Sequence, residues 1–184
     1  MEAYGGPDDA ASHARFGMTP RNQVMYGPPG RAYVYLVYGM HDCLNVVTGV
    51  DGAASAVLIR AVEPLLGHEL MRGDRWVHRM RSRRAAAQAG LGARDHVERT
   101  ADERLASGPG LVGAAFGLDT SWTGLDLCAP VSPLRLESLS ADDAPVGEVV
   151  ATPRIGVDHA GGEWAARPWR FAIAAHPSVS RPAR

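Results

Sequence analysis

The sequence predicts one α+β domain over residues 1–184, in which antiparallel strands and helices share a single core. The chain is 46% hydrophobic, which at this length suffices for one well-buried domain and is short for two. Apolar segments are joined by short glycine-containing turns, a pattern typical of an antiparallel meander. The meander strands are expected at 31–38, 43–49 and 55–62, with Gly39 and the sequence VDGAA as the connecting turns.

The segments before the meander lack the pattern of long elements. In GPDDAASH, Asp8 or Asp9 is a suitable N-cap for a short helix that ends near His13. The sequence FGMTPRNQVMYGPPG that follows is rich in proline and glycine and predicts a loop.

Helices and further strands are predicted after the meander. One helix runs from Pro64 to about Arg84, and a second from His96 to Leu105. A third begins in SGPGLVGAAFG, with Ser107 as its cap and proline in its first turn. Later strands are expected near 125–136, 146–157 and 169–174.

Charge is unevenly distributed, although the formal net charge is only −1. Residues 72–84 contain six arginines against one aspartate, whereas residues 119–148 contain six acids against one arginine. The arginine-rich segment fits a solvated helix face, and it also fits a patch that faces phosphates. The sequence contains no lysine, so no lysine Schiff base can form.

The cysteines and the hydropathy pattern predict a cytoplasmic protein. Cys43 and Cys128 each lie in an apolar stretch, far apart in sequence, and are expected to be buried free thiols. No apolar run of about 18 residues is present, and the first residues are acidic rather than basic. We therefore expect no membrane span and no signal peptide.

Three tyrosines in YVYLVYGM differ in the direction that strand parity gives them. Tyr33 and Tyr35 share one face of a regular strand, whereas Tyr38 has the opposite parity and directly precedes Gly39. Tyr38 is thus placed to project from the tip of a hairpin. Taken alone, a tyrosine pair in a strand more often serves packing than ligand binding.

Seven segments in this order and spacing resemble the alkyladenine (3-methyladenine) DNA glycosylase family, from residue 2 to about residue 171. The resemblance implies an α+β fold in which helices flank a curved antiparallel sheet. It also implies a monofunctional enzyme that extrudes damaged purines from duplex DNA and hydrolyses the N-glycosidic bond. The segments are MEAYGGPDDAASH, MTPRN, YVYLVYGM, CLNVV, VLIRAVEP, SGPG and TPRIGVDHAGGEWAARPWRF.

The resemblance implies catalytic roles for three residues. Glu2 matches the carboxylate that activates water, and such a group also stabilises the oxocarbenium-like state of glycoside hydrolysis. Arg60 matches a residue that helps to hold the water, with the main-chain carbonyl of Ile155 as a further partner. Without the resemblance, Glu2 would read as a solvated terminal acid and Arg60 as a surface charge at a strand end.

The resemblance further implies how DNA is bound. Tyr4, His13 and Tyr35 match the walls of the pocket for the extruded base, and Tyr38 matches the side chain that wedges into the duplex. Asn45 matches a residue whose bulk opposes the exocyclic amine of normal guanine. The expected partner is double-stranded DNA containing damaged purines, bound by a monomer without cofactor or metal.

The chain departs from the family at its start. Relatives carry a helix and a strand before the catalytic carboxylate, whereas this sequence begins at Met1, beside Glu2. We hypothesise that Met1 is an internal position of a longer protein, and we expect residues 175–184 to form a flexible tail. The short start leaves a rival interpretation, a noncatalytic module that binds damaged DNA.

A metal-dependent hydrolase is a second rival. Glu2, Asp8, Asp9 and His13 are candidate ligands, but their spacing matches no standard pattern of metal ligation.

Overall fold

The computed structural model describes residues 1–81, 91–138 and 147–180, without the side chains of residues 91–93. The predicted α+β class is confirmed, since these residues form a six-stranded sheet and several helices. The strands are β1 (Glu2–Tyr4), β2 (Ala32–Val37), β3 (His41–Thr48), β4 (Ser55–Leu58), β5 (Val149–Thr152) and β6 (Arg170–Ile173). The helices are α1 (His68–Met80), α2 (Leu91–Glu98), α3 (Pro109–Ala115) and α4 (Gly162–Ala166).

The sheet is antiparallel throughout and has the order β2-β3-β4-β1-β6-β5. The predicted meander β2-β3-β4 is present, with slightly shorter strands. β1 lies between β4 and β6, so the beginning of the chain is held on both sides. One row of register partners therefore crosses all six strands: Tyr33, Asn45, Leu58, Glu2, Arg170 and Thr152.

The two faces of the sheet have different roles because side chains alternate along each strand. Odd-numbered residues of β2 and β3 share a face with the even-numbered residues of β1 and β4. This face, the site face below, carries polar and aromatic side chains. The opposite face carries an apolar cluster made of Ala32, Val34, Leu44, Val46, Leu118 and Leu127.

Helix α3 covers the centre of the sheet on this opposite side. It packs against β3, and α1 packs against α3 in turn. The approach of α3 to β3 requires glycine at position 113, because a Cβ there would overlap the carbonyl of Asp42. α3 thus covers β3 on this side of the sheet, and residues 42–47 of β3 are all buried.

Two predictions near the start of helices are wrong. Residues 8–13 form turns rather than a helix, because the Asp9 carboxylate accepts hydrogen bonds from the N–H groups of Gly5 and Ala11. The N-cap of α3 is Gly108, whereas the Ser107 hydroxyl accepts a hydrogen bond from Arg104.

The other helices differ from prediction at their ends. α1 begins at His68 instead of Pro64, since Gly67 adopts a left-handed conformation with φ of 77° that a helix cannot contain. The predicted end at residues 82–84 lies outside the described residues. In place of one helix over 96–105, α2 ends at Glu98 and a separate 3₁₀ turn follows at Asp102–Arg104.

The strand predicted at 125–136 is absent, and this segment forms turns and irregular backbone with one isolated antiparallel bridge between Asp126 and Arg31. Its apolar residues, including Leu125 and Leu127, pack against the back of the sheet. Cys128 consequently lies in a turn and is exposed, contrary to the prediction, while Cys43 is buried; both are free thiols. β5 lies within the strand predicted at 146–157, and β6 lies within the strand predicted at 169–174. Residue 146 lies outside the described residues.

The end of the described chain contacts the fold. The carbonyl of Val179 accepts a hydrogen bond from Arg104, and His176 lies 3.5 Å from the carboxylate of Glu63. Residues 181–184 of the predicted tail lie outside the described part. In the part of the chain that the structure describes, no helix is long and apolar enough to cross a membrane.

Candidate active site

A cavity of about 300 Å³ opens on the site face of the sheet. Its floor comes from β2, β3 and β4, and its sides come from the loop at 11–13, the hairpin between β2 and β3, and the segment at 155–159. Every predicted site residue except Glu2 lines this cavity. They are Tyr4, His13, Tyr35, Tyr38, Asn45, Arg60 and Ile155.

The carboxylate of Glu2 is fully buried and lies behind the residues that line the cavity. Oε2 accepts hydrogen bonds from the Tyr4 hydroxyl at 3.0 Å and from Nη1 of Arg60 at 3.1 Å. Oε1 accepts one from the backbone N–H of Ile155 at 2.8 Å. All three donors line the cavity, so the carboxylate adjoins it. The observed contact of Ile155 uses its amide, and the predicted role of its carbonyl stays a prediction.

Tyr4 is held in its un-ionised form beside Glu2. Burial, together with the neighbouring Glu2 carboxylate, raises the pKa of Tyr4. The phenol therefore keeps its proton and acts as a hydrogen-bond donor to Glu2.

A buried ion pair that does not line the cavity supports Tyr4. Arg154 donates two hydrogen bonds to Asp9, at 2.6 and 2.9 Å, and one to the carbonyl of Ala3 at 3.0 Å. Its guanidinium also stacks 4.8 Å from the centre of the Tyr4 ring. Because Arg154 directly precedes Ile155, this pair fixes β1, the loop of Asp9 and the amide that binds Glu2 relative to one another.

Aromatic rings form another wall of the cavity. The ring centres of His13 and Tyr35 are 4.5 Å apart in an edge-to-face arrangement, and Nδ1 of His13 lies 2.9 Å from the Tyr33 hydroxyl. Burial, with a contribution from Arg21, lowers the pKa of His13 to about 4. His13 is thus neutral near pH 7.

Asn45 lies at the centre of the floor and is buried. Its side-chain N–H groups donate to the carbonyl of Tyr33 at 3.0 Å and, more weakly, to that of Cys43 at 3.4 Å. These bonds fix the direction of the amide. Its predicted role in excluding normal guanine stays a prediction.

Tyr38 occupies the tip of the β2–β3 hairpin, as strand parity indicates. Its side chain is 87% exposed, and its backbone is left-handed with φ of 52°, as is that of Gly39 at 67°. Met40 N–H bonds to the carbonyl of Val37, so the tip resembles a type I′ turn. Leu36 and Met40 are also exposed, and the tip presents an apolar surface.

The arginines of 72–84 are placed differently from one another. Arg72 bonds to Asp102, Arg75 is buried in α1, and Arg81 lies within 4 Å of two aspartates, whereas Arg79 is exposed. Arg83 and Arg84 lie outside the described residues. The choice between a solvated face and a phosphate patch therefore stays open.

Several residues of the site were not predicted. Cys43, Leu58 and His159 line the cavity, and the Asp9–Arg154 pair supports it. The register of the sheet would have indicated Cys43 and Leu58, because both share the parity of Asn45 across paired strands. Nothing local in the sequence joins Asp9 to Arg154. Within the described ranges, no three His, Cys, Asp or Glu side chains gather as a metal site.

Fold and site together define a class of protein in which an aromatic cavity on an antiparallel sheet adjoins one buried carboxylate. The sequence profile of the methylpurine-DNA glycosylase family matches residues 1–177. The chain belongs to this family.

Relatives with high identity cover nearly all of this chain. A protein of Methanocella arvoryzae, named "Putative 3-methyladenine DNA glycosylase", is 46% identical over 181 residues, which are 98% of this chain and 76% of that protein. A protein of Nitrosococcus oceani with the same name is 43% identical over 98% of this chain and 76% of its own length. The "DNA-3-methyladenine glycosylase" of Arabidopsis thaliana is 40% identical over 99% of this chain and 61% of its own length.

Proposed function

We propose that this protein is a monofunctional DNA glycosylase that extrudes damaged purines from duplex DNA and hydrolyses their N-glycosidic bond. The substrates would include 3-methyladenine, 7-methylguanine, hypoxanthine or etheno-adenine. The reaction needs no cofactor and leaves an abasic site in an intact strand.

One observation carries the proposal: the residues that donate hydrogen bonds to the buried Glu2 carboxylate, Tyr4, Arg60 and Ile155, all line the cavity. A carboxylate offers about four lone-pair sites, two on each oxygen. Tyr4 and Arg60 occupy those of Oε2, whereas Oε1 accepts only the Ile155 amide among the described residues. We infer that the remaining site on Oε1 takes the proton of a water molecule admitted from the cavity between these donors. Arg60 and the neutral Tyr4 keep the carboxylate oriented while it acts as the base.

The aromatic rings that line the cavity support the proposed extrusion of a damaged purine into it. Extruding a nucleotide costs a few kcal/mol, least for a damaged or mismatched base. Stacking on an aromatic ring returns about 1–3 kcal/mol per base. Tyr4 and Tyr35 both line the cavity, and two such contacts roughly offset the cost of extrusion. Tyr38, at the exposed tip, would fill the gap left in the duplex.

Substitution of Glu2 by glutamine tests the catalytic role. Loss of the general base should slow base release by about a hundredfold or more. Affinity for damaged duplex should persist, because the cavity walls are unchanged. The measurement is single-turnover release of free base from duplexes with one defined lesion, with abasic sites assayed separately.

Glu163→Gln is the matched control, since Glu163 on α4 is exposed and pairs with Arg167, which directly follows that helix. It should release base at the rate of the unchanged protein. Undiminished release by Glu2→Gln would contradict the assignment of the base. If the unchanged protein binds damaged duplex and releases nothing, the noncatalytic module is the correct interpretation. The pairing of β1 on both sides and the three bonds to Glu2 argue against that rival.

A further inference from the structure

Arg21 lies behind one aromatic wall of the cavity. Its guanidinium Cζ is 5.4 Å from the centre of the Tyr35 ring, and Nη2 donates to the carbonyl of Leu36 on the edge strand β2 at 3.2 Å. Tyr35 lines the cavity, whereas Arg21 lines a separate groove on the outer surface with Met18 and Val24. Arg21 thus contacts the Tyr35 ring without lining the cavity itself.

We propose that Arg21 is a specificity-determining residue that lowers the preference of the cavity for positively charged purines relative to neutral ones. This inference rests on the proposed function. A cation on one face of an aromatic ring weakens the negative electrostatic potential that the ring offers to a second cation. A cationic base on the opposite face meets a weakened potential and the repulsion of the guanidinium, whereas a neutral base stacks without that repulsion.

Among the arginines near this wall, Arg15 lies over the Phe16 ring and contacts His159, whereas Arg21 is the one whose guanidinium lies against the Tyr35 ring. Arg60 pairs with Glu2 and Arg154 pairs with Asp9. No carboxylate of the described residues forms an ion pair with Arg21. His13, which packs on Tyr35, is neutral near pH 7, and the positive charge of Arg21 contributes to that state.

The chemistry of alkylated purines makes this difference measurable. Methylation at N7 gives guanine a positive charge, whereas hypoxanthine is neutral. A cation near an aromatic ring at an exposed site contributes about 0.5–1 kcal/mol, so removal of Arg21 should change the selectivity by about two- to fivefold.

The test compares Arg21→Gln with the unchanged protein on two duplexes, one with 7-methylguanine and one with hypoxanthine. Arg21 is exposed, so the variant should fold, and a thermal melt checks this. We expect the ratio of single-turnover rates, 7-methylguanine over hypoxanthine, to rise about two- to fivefold. Arg21→Lys keeps the charge and should retain a ratio close to that of the unchanged protein. Arg94→Gln on α2 controls for the loss of one positive charge elsewhere.

The outcomes separate this proposal from the proposed function. If Arg21 binds phosphate instead, both rates fall together and the unchanged ratio overturns the proposal. A ratio that Arg21→Lys alters as much as Arg21→Gln also overturns it. If neither base is released, the proposed function fails, and equilibrium affinity for the two duplexes still measures the ratio: a rise in Arg21→Gln supports the electrostatic role, and no change refutes it.

Discussion

The ion pair of Asp9 and Arg154 links the parts of the site at the scale of single residues. Both side chains are fully buried, where the cost of desolvation is recovered only through good geometry and further hydrogen bonds. Here the bonds are numerous: Asp9 accepts two from Arg154 and two from backbone amides, and Arg154 also reaches the carbonyls of Ala3 and Trp164. The pair thus contributes specific geometry as well as stability.

Substitution of Asp9 by asparagine should lower the free energy of unfolding by about 3–5 kcal/mol, because it leaves the Arg154 guanidinium buried without its counter-charge. Burial opposes ionisation of Asp9, but the Arg154 guanidinium and the Gly5 and Ala11 amides outweigh it and hold the pKa of Asp9 below 3.8. The stability from this pair is therefore present above about pH 3.8 and is lost as the pH falls through the folded-state pKa.

Urea unfolding of Asp9→Asn and the unchanged protein over a range of pH measures this difference. The gap between the two should be widest near neutral pH and should shrink in acid. Asp95→Asn, which breaks only an exposed pair with Arg99, should cost less than about 1 kcal/mol. A gap that stays constant down to the lowest pH would show that the carboxylate charge is not the cause.

The sequence identifies the residues of the site better than the residues that hold them in place. The family resemblance identified Glu2 as a site residue. Without it, Glu2 is interpreted as a solvated acid, because the residues that bury it are far away in sequence. Leu58 and Arg170 flank Glu2 in the sheet, and Ile155 donates to it. The Asp9–Arg154 pair was not predicted for the same reason: its members are 145 positions apart.

At the scale of elements, the hairpin of β2 and β3 combines an exposed aromatic side chain with a strained backbone. A left-handed conformation costs a non-glycine residue about 1–2 kcal/mol. Tyr38 adopts it with its ring in solvent, so packing within the protein does not compensate for the cost. Such strain at an exposed aromatic residue is consistent with a binding role.

Substitution of Tyr38 by glycine separates the two contributions. The free energy of unfolding should stay equal or rise by up to about 1 kcal/mol, since glycine tolerates the left-handed conformation. Affinity for damaged duplex should weaken by about tenfold, because the wedge is lost. Chemical denaturation and equilibrium binding measure the two effects. Tyr38→Ser should also weaken binding more than bond cleavage, and unchanged affinity in both variants would remove the wedge role.

Local patterns predicted those elements whose partners are close in sequence. The meander was predictable because Gly39 and the turn at 51–53 separate apolar runs that pair with their neighbours. β1 was missed, since three residues carry no periodicity and their partners are distant strands. The segment 125–136 has strand-like apolar residues, but Pro130 and Pro133 interrupt it, and those residues fill the back of the sheet from turns.

At the scale of the whole molecule, the absence of lysine from the sequence limits the chemistry after base release. Strand cleavage by a bifunctional glycosylase requires an imine between an amine and the sugar, and no lysine side chain can supply that amine. The backbone nitrogen of Met1 donates a hydrogen bond to the carbonyl of Phe171 and is thereby held at the sheet. We therefore expect hydrolysis alone.

Reduction with borohydride during turnover tests this expectation. An imine would be reduced to a stable crosslink between protein and DNA, which migrates as a distinct band, and we expect no such band. The labelled strand should remain intact until alkali cleaves it at the abasic site. A lysine-dependent bifunctional glycosylase serves as the positive control for trapping. A crosslink with this protein would show that an amine other than a lysine of residues 1–184 attacks the sugar, and the assignment of Glu2 as the base for a water nucleophile would then fail.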